Sequence, residues 1–184
     1  RAIANDWPAL WLAGRQKRIF ASADFRTAEV FVDDPWWYPR AYEVLAPRFP
    51  RAKFVLLTRD EDAWFRSLMA HSDGRSPGHT DLHAAVYGRE AEFAALVARA
   101  GSRRRVNWQG LALAGHEAHY KAQYRRHAEQ ARAWFAANAP ERFLEIALDD
   151  PDKFARLARF LGFPDAAYAD VHVNAIASAP GAPS

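Results

Sequence analysis

Apolar positions along this chain recur with two periods, and stretches of the two alternate. Between Ala4 and Ala13, Trp7, Leu10 and Trp11 fall at helical spacing, and Gly14 is the predicted stop. Ala28 to Val32 is a short β-branched and aromatic run, which predicts a strand ended by Asp33-Asp34-Pro35. Tyr38 to Phe49 predicts a helix with Tyr42, Leu45 and Ala46 on one side. Lys53 to Thr58 is the clearest strand, and its four consecutive apolar residues predict burial on both faces. A helix follows from about Asp60 to His71, with acids in its first turn and Trp64, Phe65, Leu68 and Met69 on its apolar face.

Ser72 to Thr80 is rich in Ser, Asp, Gly and Pro and predicts a loop. Helices are expected over Leu82–Tyr87 and Glu90–Ala100, then a basic turn over Gly101–Asn107, then a long helix from about Leu113 to Ala137. Phe143 to Leu148 predicts a third strand. Asp150-Pro151 is the expected entry to a last helix, with Phe154, Leu157, Ala158 and Leu161 as its stripe and Gly162 and Pro164 as its end. Ala175 to Ser184 is low in complexity and is expected to fray, leaving one domain over residues 1–174.

Strands alternating with helices predict an α/β fold with a parallel sheet flanked by helices. Three strands are few for such a sheet, so at least one more is expected outside this sequence. The sequence also starts without Met, inside a helical pattern. Both features are read as an N-terminally incomplete domain.

Composition narrows the class. Half of the 184 residues are hydrophobic, which excludes a disordered chain. The absence of Cys excludes a disulfide framework, a thiolate metal site and a cysteine nucleophile. No apolar run approaches the ~20 residues that span a bilayer. The start has no apolar signal region, so a cytoplasmic protein without membrane contact is expected. A net charge of +3 favours a small anionic ligand over a polyanion.

Two junctions carry candidate chemistry. Ligands in open α/β sheets bind at the carboxyl ends of strands. Arg59 leaves the strongest strand at that end, and Ser67 follows on the next helix. An Arg grips phosphate with two parallel hydrogen bonds, and a Ser hydroxyl donates another. The alternative is an Arg59 paired with Asp60 or Asp62. Asp33 ends the Val30–Val32 run, where a carboxylate takes a proton or holds Mg²⁺. Its alternative is a turn-capping Asp.

Those junctions, in this order, resemble the sulfotransferases that use 3′-phosphoadenosine-5′-phosphosulfate (PAPS). The resemblance rests on Asp33-Asp34-Pro35, on the strand ending Leu57-Thr58-Arg59-Asp60, and on Ser67 eight residues after Arg59. Trp64 in the following helix is similar to the bacterial branch. Tyr87-Gly88, Tyr124-Arg125-Arg126-His127, Phe143–Ile146, Phe160–Pro164 and His172-Val173-Asn174 resemble later family elements.

The resemblance implies a three-layer P-loop NTPase-like fold and transfer of a sulfuryl group to a hydroxyl or amine of a small-molecule acceptor. It implies PAPS as co-substrate; no metal is expected for want of a third ligand near His116 and His119, and no nucleic-acid partner given the small net charge. Arg59 and Ser67 would bind the 3′-phosphate of PAPS, and Asp33 would be the catalytic base. An ordinary Asp, with a pKa of about 3.9, is a weak base, and burial at the sheet edge would improve it.

The chain departs from the pattern at Glu61, where Pro is usual, and at Phe31, where some relatives have Lys. It has no Gly-rich phosphate loop; Ala13-Gly14-Arg15-Gln16-Lys17 is not one. The first strand and that loop are therefore expected to be missing, and the chain as written to be inactive. A P-loop kinase using ATP and Mg²⁺, and a non-catalytic nucleotide-binding relative, stand as alternatives.

Trp36, Trp37, His71 and His83 are candidate acceptor-site residues, with core or surface positions as their alternative. His79 is placed with them. His116 and His119 lie one helical turn apart but lack an acidic third ligand nearby, and are read as a helix face. Arg103-Arg104-Arg105 beside Trp108 is read as a solvated turn.

Overall fold

The computed structural model describes residues 6–164. Its sheet is a parallel pair, β1 (Phe54–Thr58) and β2 (Phe143–Ala147), in register from Phe54 opposite Phe143 to Thr58 opposite Ala147. Before β1 come α1 (Trp7–Leu12), α2 (Gln16–Phe20), α3 (Ala23–Thr27) and α4 (Ala41–Arg48). The crossover holds α5 (Glu61–His71), α6 (Thr80–Tyr87), α7 (Glu90–Ala100), α8 (Arg103–Gln109) and α9 (Glu117–Asn138). A 3-10 turn at Pro140–Arg142 leads into β2, and α10 (Lys153–Leu161) follows. The chain is therefore mixed α/β.

Side chains alternate across a strand, so paired residues share a face. Phe54, Leu56 and Phe143 pack on Tyr42 and Ala46 of α4 and on Ala131 and Phe135 of α9. Phe135 and Phe143 stack with ring centroids 4.6 Å apart. On the other face α10 packs on β2, and Ile146 is fully buried. Beside it Val55 and Leu57 of β1 stay 39% and 55% exposed. The expectation that β1 is buried on both faces is thus corrected, because no described element covers that half of the sheet.

Ala28 to Val32 forms no strand, and the chain bends at Glu29. A strand needs a neighbour for its backbone groups, and none lies alongside among the described residues. Val30 and Val32 point outward, 80% and 69% exposed, while Phe31 turns in and stacks on Phe25 at 4.8 Å. That ring belongs to an aromatic cluster in which Trp7, Trp11, Ile19, Tyr38 and Leu45 are buried.

Two further boundaries differ from expectation. The basic segment is the helix α8, not a turn. Ser102 caps it by accepting from the Arg105 N–H, Val106 faces the core, and Arg103 reaches out to Asp81. The last helix starts at Lys153, because Asp150 accepts from the Asp152 N–H and pairs with Arg156 in a turn before it.

Helices α5 and α9 lie together. Trp64 stacks on Tyr124 at 4.7 Å, and Asp62 and Glu61 pair with Lys121 and Arg125. Arg142 donates to the carbonyls of Ala46 and Phe49 at 3.2 and 3.1 Å, satisfying carbonyls at the end of α4. Among the described residues no helix is long and apolar enough to cross a membrane.

Candidate active site

A cavity of about 800 Å³ opens between α1, the segment from Thr27 to Tyr38, the end of α5 and α6. Its wall gathers Asp33, Trp36, Trp37, His71 and His83, which the sequence places far apart, together with His79. Arg59 and Ser67 are not in that wall; they stand at the β1–α5 junction.

Asp33 has a left-handed backbone, φ 60°, which Asp tolerates better than most residues. Its carbonyl accepts from the Trp36 N–H at 2.9 Å, closing the turn that presents both tryptophans. The Asp33 carboxylate is exposed and makes no hydrogen bond or ion pair among the described residues.

The burial expected for Asp33 falls instead on Asp34, which sequence reasoning passed over. Asp34 Oδ1 accepts from Trp37 Nε1 at 2.7 Å, and the Tyr38 hydroxyl also bonds to this carboxylate. Burial raises the Asp34 carboxyl above the usual range against those two hydrogen bonds, and the Asp33 charge adds to the rise. Burial and the Asp34 charge in turn hold the hydroxyls of Tyr38 and Tyr87 in their protonated form.

Trp36 is both core and wall, with its ring 5.6 Å from Trp7 and 4.8 Å from Phe31. Trp37 is at the rim, 5.8 Å from the Tyr87 ring. Tyr87 stacks on His83 at 4.5 Å.

His83 is buried and belongs to a network absent from the sequence expectations. Arg89 Nη1 donates to the Tyr120 hydroxyl at 2.8 Å, and that oxygen lies 2.8 Å from His83 Nε2. A guanidinium only donates, so the Tyr120 proton points to His83 Nε2. His83 then carries its own proton on Nδ1. Burial, with help from Arg89, lowers the His83 pKa to about 4, so the ring is neutral at pH 7. Arg89 itself is buried and held by Glu92 and the Ala112 carbonyl. Arg89 stands just before α7 and Glu92 in its first turn, positions whose local pattern gives no sign of burial.

At the other junction the pairings proposed for Arg59 do not form. Asp60 caps α5 by accepting from the Ala63 N–H at 2.9 Å, and Asp62 pairs with Lys121. The backbone of Arg59 is held by Tyr124, whose hydroxyl accepts from its N–H at 2.9 Å and donates to its carbonyl at 3.1 Å. The guanidinium is exposed and has no hydrogen-bond or ion-pair partner among the described residues. The half-buried Ser67 makes no side-chain hydrogen bond among them either.

A profile described as a sulfotransferase domain matches residues 5–175. The chain belongs to the sulfotransferase family. No curated protein and no solved structure matches it. Sulfotransferases are enzymes that move a sulfuryl group from a donor to an acceptor, and the acceptor implied here is a small molecule. The cavity is the right size for one, since small-molecule sites occupy roughly 300–1,000 Å³. Among the described residues of this sulfotransferase no group of three or more His, Asp or Glu converges as metal ligands would. His119 instead bonds the Tyr87 carbonyl through Nε2 at 2.7 Å, tying α9 to the cavity wall. The His172-Val173-Asn174 segment lies outside the described residues.

Proposed function

We propose that this sulfotransferase uses PAPS to sulfate a small acceptor held in the cavity beside Asp33. What carries the reading is that Asp33 and Arg59, the two charged groups the family resemblance singles out, both stand without partners among the described residues. A structural ion pair would have consumed them.

Arg59 fits a phosphate, because its backbone is pinned by Tyr124 while its guanidinium is free to bond two oxygens. Ser67 supplies a further donor. When bound, PAPS supplies the activated sulfur and a phosphate leaving group. The acceptor oxygen or nitrogen forms a bond to that sulfur as the bond from sulfur to the donor phosphate oxygen breaks. Asp33 takes the acceptor proton, and 3′-phosphoadenosine-5′-phosphate leaves. Charge on that leaving phosphate needs fixed donors.

The rest of the family fold is part of the same reading. The edge of β1 away from β2 and the bare Val55 and Leu57 favour a further parallel strand there, bearing the Gly-rich loop for the phosphosulfate. Turnover is expected only with that loop in place, in a P-loop-like fold of the bacterial type.

The test is a melting experiment in EDTA with 3′-phosphoadenosine-5′-phosphate. A ligand at a hundred times its Kd stabilises by about 2.7 kcal/mol, a shift of several degrees. Arg59→Ala is expected to abolish the shift. Protection by ATP with Mg²⁺, and none by this nucleotide, would overturn the reading in favour of a kinase. In protein that carries the loop, Asp33→Asn is expected to lower turnover by about 10²–10⁴-fold with the nucleotide shift unchanged.

A further inference from the structure

The cavity carries a charge inventory opposite to that of the chain. The protein has 25 Lys and Arg against 22 acids. Yet the described lining of the cavity contains no Lys or Arg, while Asp6, Asp24, Asp33 and Asp34 all face it. Asp81 faces it too, but Arg103 neutralises that carboxylate at 2.8 Å. The buried histidine of the wall brings no positive charge, because His83 is neutral at pH 7.

Asp34 is the member of this set that a ligand would feel most. It is half-buried and fixed by Trp37 and Tyr38. The rings of Trp37 and Tyr87 stand 5.8 Å apart beside it. A neutral or anionic ligand that fills the cavity strips water from Asp34 and supplies no counter-charge, which is costly. An organic ammonium does the reverse. It relieves the repulsion between Asp33 and Asp34, pairs with a desolvated carboxylate, and gains the attraction of aromatic faces for a cation.

Resting on the reading of this cavity as the acceptor site, we propose that the acceptor is an amino alcohol or aminophenol, anchored as its ammonium at Asp34 against Trp37 and Tyr87. A protonated nitrogen has no lone pair, so the group that attacks sulfur is the hydroxyl of the same molecule. Asp33, exposed and unpartnered, remains available for that hydroxyl's proton.

The test is titration calorimetry on the full chain with 4-(2-aminoethyl)phenol and its neutral counterpart 4-(2-hydroxyethyl)phenol. The amine is expected to bind about tenfold tighter, the worth of one well-placed charge-assisted contact. Asp34→Asn keeps an acceptor for Trp37 Nε1 and is expected to bring the ratio near one, with the neutral phenol unaffected. In the unmutated chain the preference is expected to shrink as salt is raised. Equal affinities, a preference that survives Asp34→Asn, or binding of neither compound at millimolar concentration would overturn the proposal. Nucleotide protection without an amine preference removes the cationic acceptor alone. An amine preference without nucleotide protection supports the cation site and removes the PAPS reading.

Discussion

Single side chains here do different work from their neighbours, and Tyr120 shows it most clearly. Its hydroxyl bridges a permanently charged Arg89 and a neutral His83 by hydrogen bonds. Tyr120→Phe leaves both buried groups short of a partner and is expected to cost about 1–3 kcal/mol in urea unfolding. Titration of His83 has a definite sign. Its folded pKa of about 4 lies below the ordinary 6.5, so the folded chain binds fewer protons between those values. Stability from this group is full above pH 6.5 and is lost as pH falls towards 4, by on the order of 3 kcal/mol. Asp81 and Glu145, held down by Arg103 and Arg132, lose stability in the same direction at lower pH. Asp34, with its raised value, runs the other way. Melting curves across this range are expected to show a falling limb that His83→Gln flattens; an unchanged limb would place the acid sensitivity elsewhere.

At the scale of elements, legibility followed the physics of each segment. Helix α7 was legible over Glu90–Ala100 because its acids open it and Gly101, at φ 65°, closes it, both of which are local signals. Ala28–Val32 misled because strand propensity in Val and Phe needs a neighbouring strand, and none of the described residues supplies one. The α8 helix was hidden by three arginines, whose outward face says nothing of Val106 turning inward. The pairing of α5 with α9 and the burial of Asp34 were not legible, since both depend on segments distant in sequence. The bare flank of β1 has its own expectation. An apolar sheet face beside an unpaired edge invites association, so Leu57→Lys is expected to reduce concentration-dependent self-association in sedimentation with little change in melting temperature. Equal association in both proteins would exonerate this flank.

For the molecule as a whole, α4 and α9 join the sheet through one aromatic core. Phe135 is its centre, buried and in ring contact with Tyr42, Phe54, Trp134 and Phe143. Phe135→Ala is expected to cost about 3–5 kcal/mol, read from denaturant midpoints. The family membership was legible as an ordered set of short motifs. The sequence did not show that the catalytic and acceptor candidates meet at one cavity while Arg59 and Ser67 stand at another junction.

Arg142 adds a temporal dimension to this architecture. It reaches back 96 and 93 residues to the carbonyls of Ala46 and Phe49. Contacts so distant along the chain form late, because the intervening segment must first be brought to heel entropically. The helices of the crossover can meet their neighbours early, whereas the end of α4 and the start of β2 must wait for each other. A newly made chain therefore lacks the β1–β2 pairing until almost all of the described residues have been synthesised, and through that interval the edge of β1 that β2 covers stays open.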